Sequence, residues 1–193
     1  MKVMLDLFSG LGGASEAFVQ DGWRVIRIEN NPLLEYVPHT LTLDVLEWAD
    51  WIDNLPPIDF IWASPPCQEF SLAFNAPAAK AQREGREFHP DMKCVTAALD
   101  IIDALQPRHW VLENVQGSVS HLRPLMGRHS QKIGPLFLWG NFPYIVMPTS
   151  FEHPSKTAIL GSTGKQERAL VPFEVSFALL SALRSQTYIE DWC

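Results

Sequence analysis

A strand, a glycine turn and a helix follow one another within the first twenty residues, and no other segment limits the possible folds as sharply. Val3 to Phe8 is a short apolar run stopped by Ser9-Gly10, after which Leu11-Gly12-Gly13 leads into the amphipathic stretch Ala14 to Gln20. Arg24 to Glu29 alternates around Val25, Ile26 and Ile28 and ends at Glu29-Asn30-Asn31-Pro32, where the proline disfavours helix in the residue before it. Leu41 to Val45 is a shorter strand candidate ending near Asp44, and Ile58 to Ala63 is a buried run stopped by Ser64-Pro65-Pro66. Trp110 to Val115 is a fifth strand and terminates in the polar pair Glu113-Asn114. Strands alternating with helices predict an α/β chain with a mainly parallel sheet, in which ligands bind where the carboxyl ends of the strands meet the loops. The polar motifs fall at those ends.

Residues 68 to 90 are polar, alanine-rich and basic, lack a firm period, and predict a long mobile loop with some helix. Asp91 is placed to cap a helix to about Leu105, with Val95, Leu99 and Ile102 on one stripe and Pro107 at its end. Further strand-like runs lie at Leu136 to Trp139, Tyr144 to Met147 and Thr157 to Leu160. Pro172 suits the first turn of a last helix to about Arg184, with Phe173, Phe177 and Leu180 on its apolar stripe. The chain has 193 residues and no internal repeat or low-complexity linker, which predicts one domain over residues 1–193. No apolar stretch reaches membrane-spanning length, and the N-terminus lacks a secretory cleavage pattern. Three widely spaced cysteines, Cys67, Cys94 and Cys193, make neither a disulfide framework nor a C-x-x-C metal pair. A cytoplasmic setting with reduced thiols is the expectation.

The formal charge of −7 disfavours nucleic-acid binding through bulk electrostatics, but it is unevenly spread. Residues 1–79 hold three Lys/Arg against eleven Asp/Glu, residues 80–133 eight against six, and residues 134–193 four against five. Only the middle third is basic, and any contact with phosphates is to be sought there, although a charge run is usually a solvated face. The six histidines are scattered, with no two at helical ligand spacing, and no metal is assigned. The seven tryptophans are read first as packing.

Two constellations carry chemistry. Phe8-Ser9-Gly10-Leu11-Gly12-Gly13 follows a strand and opens a helix, and Glu29 lies 19 positions after Gly10 at the end of the next strand. Glycines let the backbone approach a nucleotide-like cofactor, and a carboxylate about 20 residues on accepts ribose hydroxyls. This spacing alone does not separate a dinucleotide from S-adenosylmethionine. In the second constellation, Ser64-Pro65-Pro66-Cys67-Gln68 with Phe70-Ser71 holds a thiol in a proline-stiffened segment beside the same crevice. A lone cysteine more often packs as a small hydrophobe, but the prolines and polar residues around this one argue for a nucleophile.

Together, Asp6 through Gly13, Pro66-Cys67-Gln68 with Phe70-Ser71, and Glu113-Asn114-Val115 resemble the S-adenosylmethionine-dependent DNA cytosine-5 methyltransferases in order and near spacing. The resemblance is strong to about residue 117 and faint beyond. It implies a Rossmann-like class I methyltransferase fold, a mainly parallel sheet with helices on both faces, and methyl transfer to C5 of cytosine in DNA. It makes Cys67 the nucleophile at C6 and Glu113 the partner of N3, with Asn114 fixing the strand end. For the cofactor it carries over Phe8, Ser9, Gly10, Leu11, Gly12 and Gly13 to the methionine and adenine side. Glu29 then serves the ribose, Asn30, Asp44 and Val45 the adenine, and Pro66 the sulfonium region. Ser176 is a further cofactor candidate, weighed against a helix-surface serine. Gln68, Ser71, Lys80, Arg83 and Arg86 are candidates to fill the gap left by a flipped base or to hold phosphates.

The chain departs from the family in two places. The Gln-x-Arg-x-Arg segment has its nearest match in Gln131-Lys132-Ile133-Gly134-Pro135, without either arginine, and Arg128 is a nearby substitute. Only about 30 residues stand where the family carries a large target-recognition region. Sequence readout is then slight, absent or supplied by a second chain. Two other readings stay open: the same chemistry on RNA or a free pyrimidine nucleotide, and a catalytically silent relic that binds cofactor or partner.

Overall fold

The computed structural model describes residues 1–71, 76–152 and 170–186. Strand β1 (Val3–Leu7) is buried along its whole length, and its alternating side chains divide between two cores. Among the described residues six further strands flank it: β2 (Arg24–Glu29), β3 (Thr40–Thr42), β4 (Phe60–Ala63), β5 (His109–Asn114), β6 (Gln131–Ile133) and β7 (Leu136–Asn141). Their order in one sheet is β3-β2-β1-β4-β5-β7-β6. The first five are parallel, and β7 runs antiparallel to both β5 and β6. From β1 the chain winds outward to β2 and β3 on one side and to β4 and β5 on the other. This reversal leaves a crevice outside the carboxyl ends of β1 and β4, where open α/β sheets bind ligands.

Helices cover both faces: α1 (Glu16–Gln20), α2 (Pro77–Arg83), α3 (Lys93–Leu105), α4 (Val119–Met126) and α5 (Phe173–Ser185). On one face α3 packs Val95, Ala98 and Ile101 into a core with Leu5, Leu7, Ile28 and Ile61. On the other, Val175, Leu179 and Leu183 of α5 join Met4, Phe18, Phe60, Trp62 and Leu138. Each of the buried Val, Leu, Ile, Phe and Met side chains contributes roughly 1.5–3 kcal/mol through burial. The end of α3 follows the sequence signal, with Gln106 left-handed at φ 44 ahead of Pro107; its start does not, since Met92 is the N-cap and makes no side-chain cap, while Asp91 one residue earlier accepts the Lys93 amide at 2.9 Å. Trp51, Trp62 and Trp139 are core residues. Among the described residues, no helix is long and apolar enough to cross a membrane.

Several elements differ from the sequence expectation. The third strand covers Thr40–Thr42 and stops before Asp44, whose side chain accepts the Leu46 amide at 2.9 Å and starts a 3-10 turn over Val45–Asp50. The first helix begins at Glu16 rather than Ala14, because residues 12 to 15 are used in turns. Of the loop expected over 68 to 90, Cys67–Phe70 forms a 3-10 turn and Pro77–Arg83 a helix. Tyr144 to Met147 is not a strand. The Gln131 side chain holds it instead, donating to Ile145 O at 2.7 Å and accepting the Ile145 amide at 2.9 Å. The run Thr157 to Leu160 lies outside the described residues, as does Cys193. On α5 the Phe173 and Phe177 rings stack on the surface, 41% and 54% exposed, while Val175, Ser176, Leu179 and Leu183 face inward. Ser176 fixes this orientation, because its small side chain is fully buried and hydrogen-bonded to Ala14 and Ala17 at the start of α1.

Candidate active site

The turn after β1 is strained and tied to its neighbours. Phe8 is left-handed at φ 58, a conformation that costs about 1–3 kcal/mol in a residue with a side chain, and the Ser9 amide donates to Ile28 O at 3.1 Å. Gly10 and Gly12 continue at φ 53 and 78, which glycine adopts freely. The Gly10 amide donates to Glu29 Oε2 at 2.9 Å, and Glu29 Oε1 accepts the Asn31 amide at 2.9 Å. Asn30 Nδ2 then donates to Asp44 Oδ2 at 3.3 Å. Gly10, Glu29, Asn30 and Asp44 thus form one hydrogen-bonded line across the carboxyl ends of β1, β2 and β3. The Val45 side chain is buried in the core, so only its backbone is available at this line.

These residues fit a nucleoside-bearing methyl donor. The Ser9 hydroxyl is buried without a hydrogen-bond partner, and a Cβ built on Gly10 would meet nothing within 4 Å. The Glu29 carboxylate is fixed by two backbone amides and keeps lone pairs for hydroxyl donors. A Cβ on Gly13 would strike Val171 O and the Leu170 side chain, so the segment leading into α5 closes over the turn.

The second half of the site lies at the ends of β4 and β5. The Ser64 amide donates to Leu7 O at 3.1 Å, joining this end of β4 to the glycine turn. Cys67 is partly exposed at the start of its 3-10 turn, which Phe70 anchors in the core at 3% exposure. Asn114 is buried and bridges the two strands: Nδ2 donates to Pro65 O at 3.1 Å, and Oδ1 accepts the Val115 amide at 2.9 Å. Since Ala63 pairs with Leu112, Glu113 lies level with Ser64, which stands three residues before Cys67. Glu113 is partly buried and Pro66 exposed.

Gln68 is exposed, Ser71 partly buried, and Arg83 exposed at the end of α2. Arg86 pairs with Glu84, whose carboxyl is held below its ordinary range by hydrogen bonding to Arg86. A phosphate would have to compete with that exposed pair, which is worth little in water. Gln131 is spent on Ile145, and Lys132 lies over the Phe137 ring at 5.1 Å. Among the described residues no group of three or more His, Cys, Asp and Glu side chains could hold a metal ion.

Sequence reasoning missed a buried polar cluster beneath the glycine turn. Ser15 Oγ donates to Asp6 Oδ2 at 2.6 Å and accepts Arg27 Nε at 2.9 Å, and all three residues are at most 1% exposed. Ser176, expected at the cofactor or on the surface, is at neither. Its hydroxyl donates to Ala14 O at 2.8 Å and accepts the Ala17 amide at 3.2 Å, pinning α5 to the start of α1. Burial pushes the Asp6 carboxyl up from 3.8 to about 6, against the lowering effects of Ser15 and Arg27. The folded state therefore holds this proton more tightly than the unfolded chain. Its contribution to stability is full below 3.8 and is lost as pH rises through about 6, a change of about 3 kcal/mol. We expect the stability difference between wild type and Asp6→Asn to shift by that amount between pH 4 and 7 in urea denaturation; a flat difference excludes the assignment.

Residues 2–126 match the family of C-5 cytosine-specific DNA methylases. The chain belongs to this family. It is 30% identical over 119 residues to a probable DNA (cytosine-5)-methyltransferase of Frog virus 3 (isolate Goorha), covering 58% of this chain and 52% of the relative. It is 28% identical over 129 residues to the type II methyltransferase M.DdeI of Desulfomicrobium norvegicum, covering 61% of this chain and 28% of the relative. The chain thus spans about half or less of the length of these curated relatives. Among solved structures it is similar to the Entamoeba histolytica methyltransferase EhMeth, with a TM-score of 0.53 at 16% identity over 84% of this chain and 60% of that one. That likeness and the sheet order give the Rossmann-like fold of class I methyltransferases.

Proposed function

We propose that this chain transfers a methyl group from S-adenosylmethionine to C5 of cytosine in DNA through a covalent adduct on Cys67. The observation that carries this reading is the Asn114 bridge to Pro65, which fastens the Glu113 strand end to the Cys67 segment beside the glycine turn. Phe8 to Gly13 would hold the methionine and adenine side of the donor, Glu29 its ribose hydroxyls, and Asn30, Asp44 and the Val45 backbone its adenine. Pro66 would touch the sulfonium region. When bound, the donor supplies an electrophilic methyl group.

Cytosine C5 is too electron-poor to accept that group directly. The Cys67 thiolate adds to C6, and the ring's electron density moves to C5, dividing a difficult substitution into easier steps. Glu113 shares a proton with N3 and stabilises the charge that arrives from the thiolate. Once C5 carries its new substituent, a base takes the C5 proton, the freed electron pair restores the C5–C6 double bond, and Cys67 leaves C6 as a thiolate. A base stacked in duplex DNA cannot expose C6 and C5 in this way, so it must leave the stack. Gln68, Ser71, Lys80, Arg83 and Arg86, on and after the Cys67 segment, are the side chains we assign to that opened duplex. About 30 residues separate β7 from α5, and target recognition by this chain is accordingly slight or supplied by a second chain.

Duplex DNA bearing 5-fluorocytosine, incubated with S-adenosylmethionine, tests this directly. A denaturation-resistant adduct that maps to Cys67 is expected, because fluorine at C5 cannot leave as a proton does. An adduct only with the equivalent RNA or nucleotide would move the substrate to those classes; donor binding without an adduct on any of them would make the chain a silent relic.

A further inference from the structure

We infer that Arg27 is a positioning residue for the methyl-donor site, its buried guanidinium holding the glycine turn in register with the ends of β2 and β3. The inference rests on the reading that this turn holds S-adenosylmethionine. Arg27 is 1% exposed in the middle of β2, although a charged side chain is buried at a cost unless it is paired and hydrogen-bonded. Here the pairing is specific. Nε donates to Ser15 Oγ at 2.9 Å, and Nη2 donates to Gly12 O at 3.1 Å and to Glu16 Oε2 at 3.1 Å. Nη1 donates to Pro38 O at 2.9 Å, and the Arg27 amide donates to His39 O at 2.9 Å.

Every one of these partners lies in a segment that leads to or from a donor-site residue. Gly12, Ser15 and Glu16 continue from Gly10, while Pro38 and His39 lead into β3 and so to Asp44. Arg27 itself stands two residues before Glu29. The guanidinium presses on the turn so closely that a Cβ on Gly12 would collide with it. Glu16 pairs with it directly, and Asp6, which also feels the Glu29 charge, reaches it through the Ser15 hydroxyl. One planar fork thus sets the spacing between the Gly10 amide, the Glu29 carboxylate and the Asn30–Asp44 pair. A lysine has a single point of charge and cannot reproduce the fork.

The test measures binding of S-adenosylhomocysteine by calorimetry, and KM for S-adenosylmethionine and for DNA separately, in wild type, Arg27→Met, Arg27→Lys and Ser15→Ala. Arg27→Met keeps the apolar stem. It is expected to weaken S-adenosylhomocysteine and raise KM for S-adenosylmethionine by at least about tenfold, the size that follows from losing one charge-assisted hydrogen bond. KM for DNA should stay within about twofold, and Arg27→Lys should recover part of the loss. Unchanged KM for S-adenosylmethionine, or equal losses toward donor and DNA, overturns the inference, since general loosening would not separate them. If Arg27→Met fails to fold, unchanged donor KM in both Ser15→Ala and Arg27→Lys overturns it. A wild-type protein that binds no S-adenosylhomocysteine instead overturns the donor-site reading, and this inference with it.

Discussion

Replacing Cys67 with serine is expected to lower methyl transfer by about four orders of magnitude or more, while affinity for S-adenosylhomocysteine stays within about threefold. The asymmetry follows from where the residue sits. Cys67 opens a 3-10 turn beyond β4, whereas the residues assigned to the donor's nucleoside lie at the ends of β1, β2 and β3. A serine fits the same space but ionises far less readily than a thiol, so little anionic nucleophile is present near neutral pH. Cys94 supplies the internal control. It lies half-buried on α3, and burial raises its thiol above the ordinary value, with Asp44 and Asp91 adding to the effect. Cys94→Ser should leave turnover within about twofold, because a buried, inert thiol acts only through packing. Single-turnover transfer of labelled methyl groups to DNA, alongside calorimetry with S-adenosylhomocysteine, decides the matter. Normal turnover in Cys67→Ser would sink the covalent mechanism.

The succession of the main strands along the chain and the ends at which they carry polar residues were legible because short apolar runs closed by glycine, proline or acids leave few alternatives. Gly10 to Glu29 was readable as a pair from spacing, and their hydrogen bond at 2.9 Å is the physical form of that spacing. Arg27 was not readable. Residues 25 to 28 of β2 are all buried, so a charge within that run carries no signal of which face it lies on. An aspartate in the middle of the buried run of β1 was the available hint, because a carboxylate there requires a partner. The stripe of Phe173, Phe177 and Leu180 held only at Leu180, which is buried, while the two phenylalanines are exposed. Helical spacing identifies an apolar stripe, but α5 carries apolar residues on more than one side, and the side buried is the one that brings Ser176 to α1 with Val175, Leu179, Leu180 and Leu183. Ser176 shows the same limit, since its two hydrogen bonds reach Ala14 and Ala17, some 160 positions away in sequence, and no local pattern encodes them.

Glu113→Gln is the second change with a large expected effect, a fall in the rate of the chemical step of about 10²–10⁴-fold. Glutamine is nearly the same size and still offers an amide hydrogen to N3, so the base should remain bound and KM for DNA should move by less than about threefold. What it cannot do is share a proton that moves to N3 as the Cys67 thiolate adds to C6. The loss should therefore appear in kcat and in the rate of adduct formation with 5-fluorocytosine DNA together, since both require the same addition step. The bridge from Asn114 Nδ2 to Pro65 O does not involve the Glu113 side chain, so the variant should keep the Cys67 segment in place and its unfolding midpoint close to wild type. A variant that forms the adduct at the wild-type rate but turns over slowly would remove Glu113 from the addition step and assign it to a later one. One that loses DNA affinity without loss of kcat would make it a binding residue alone.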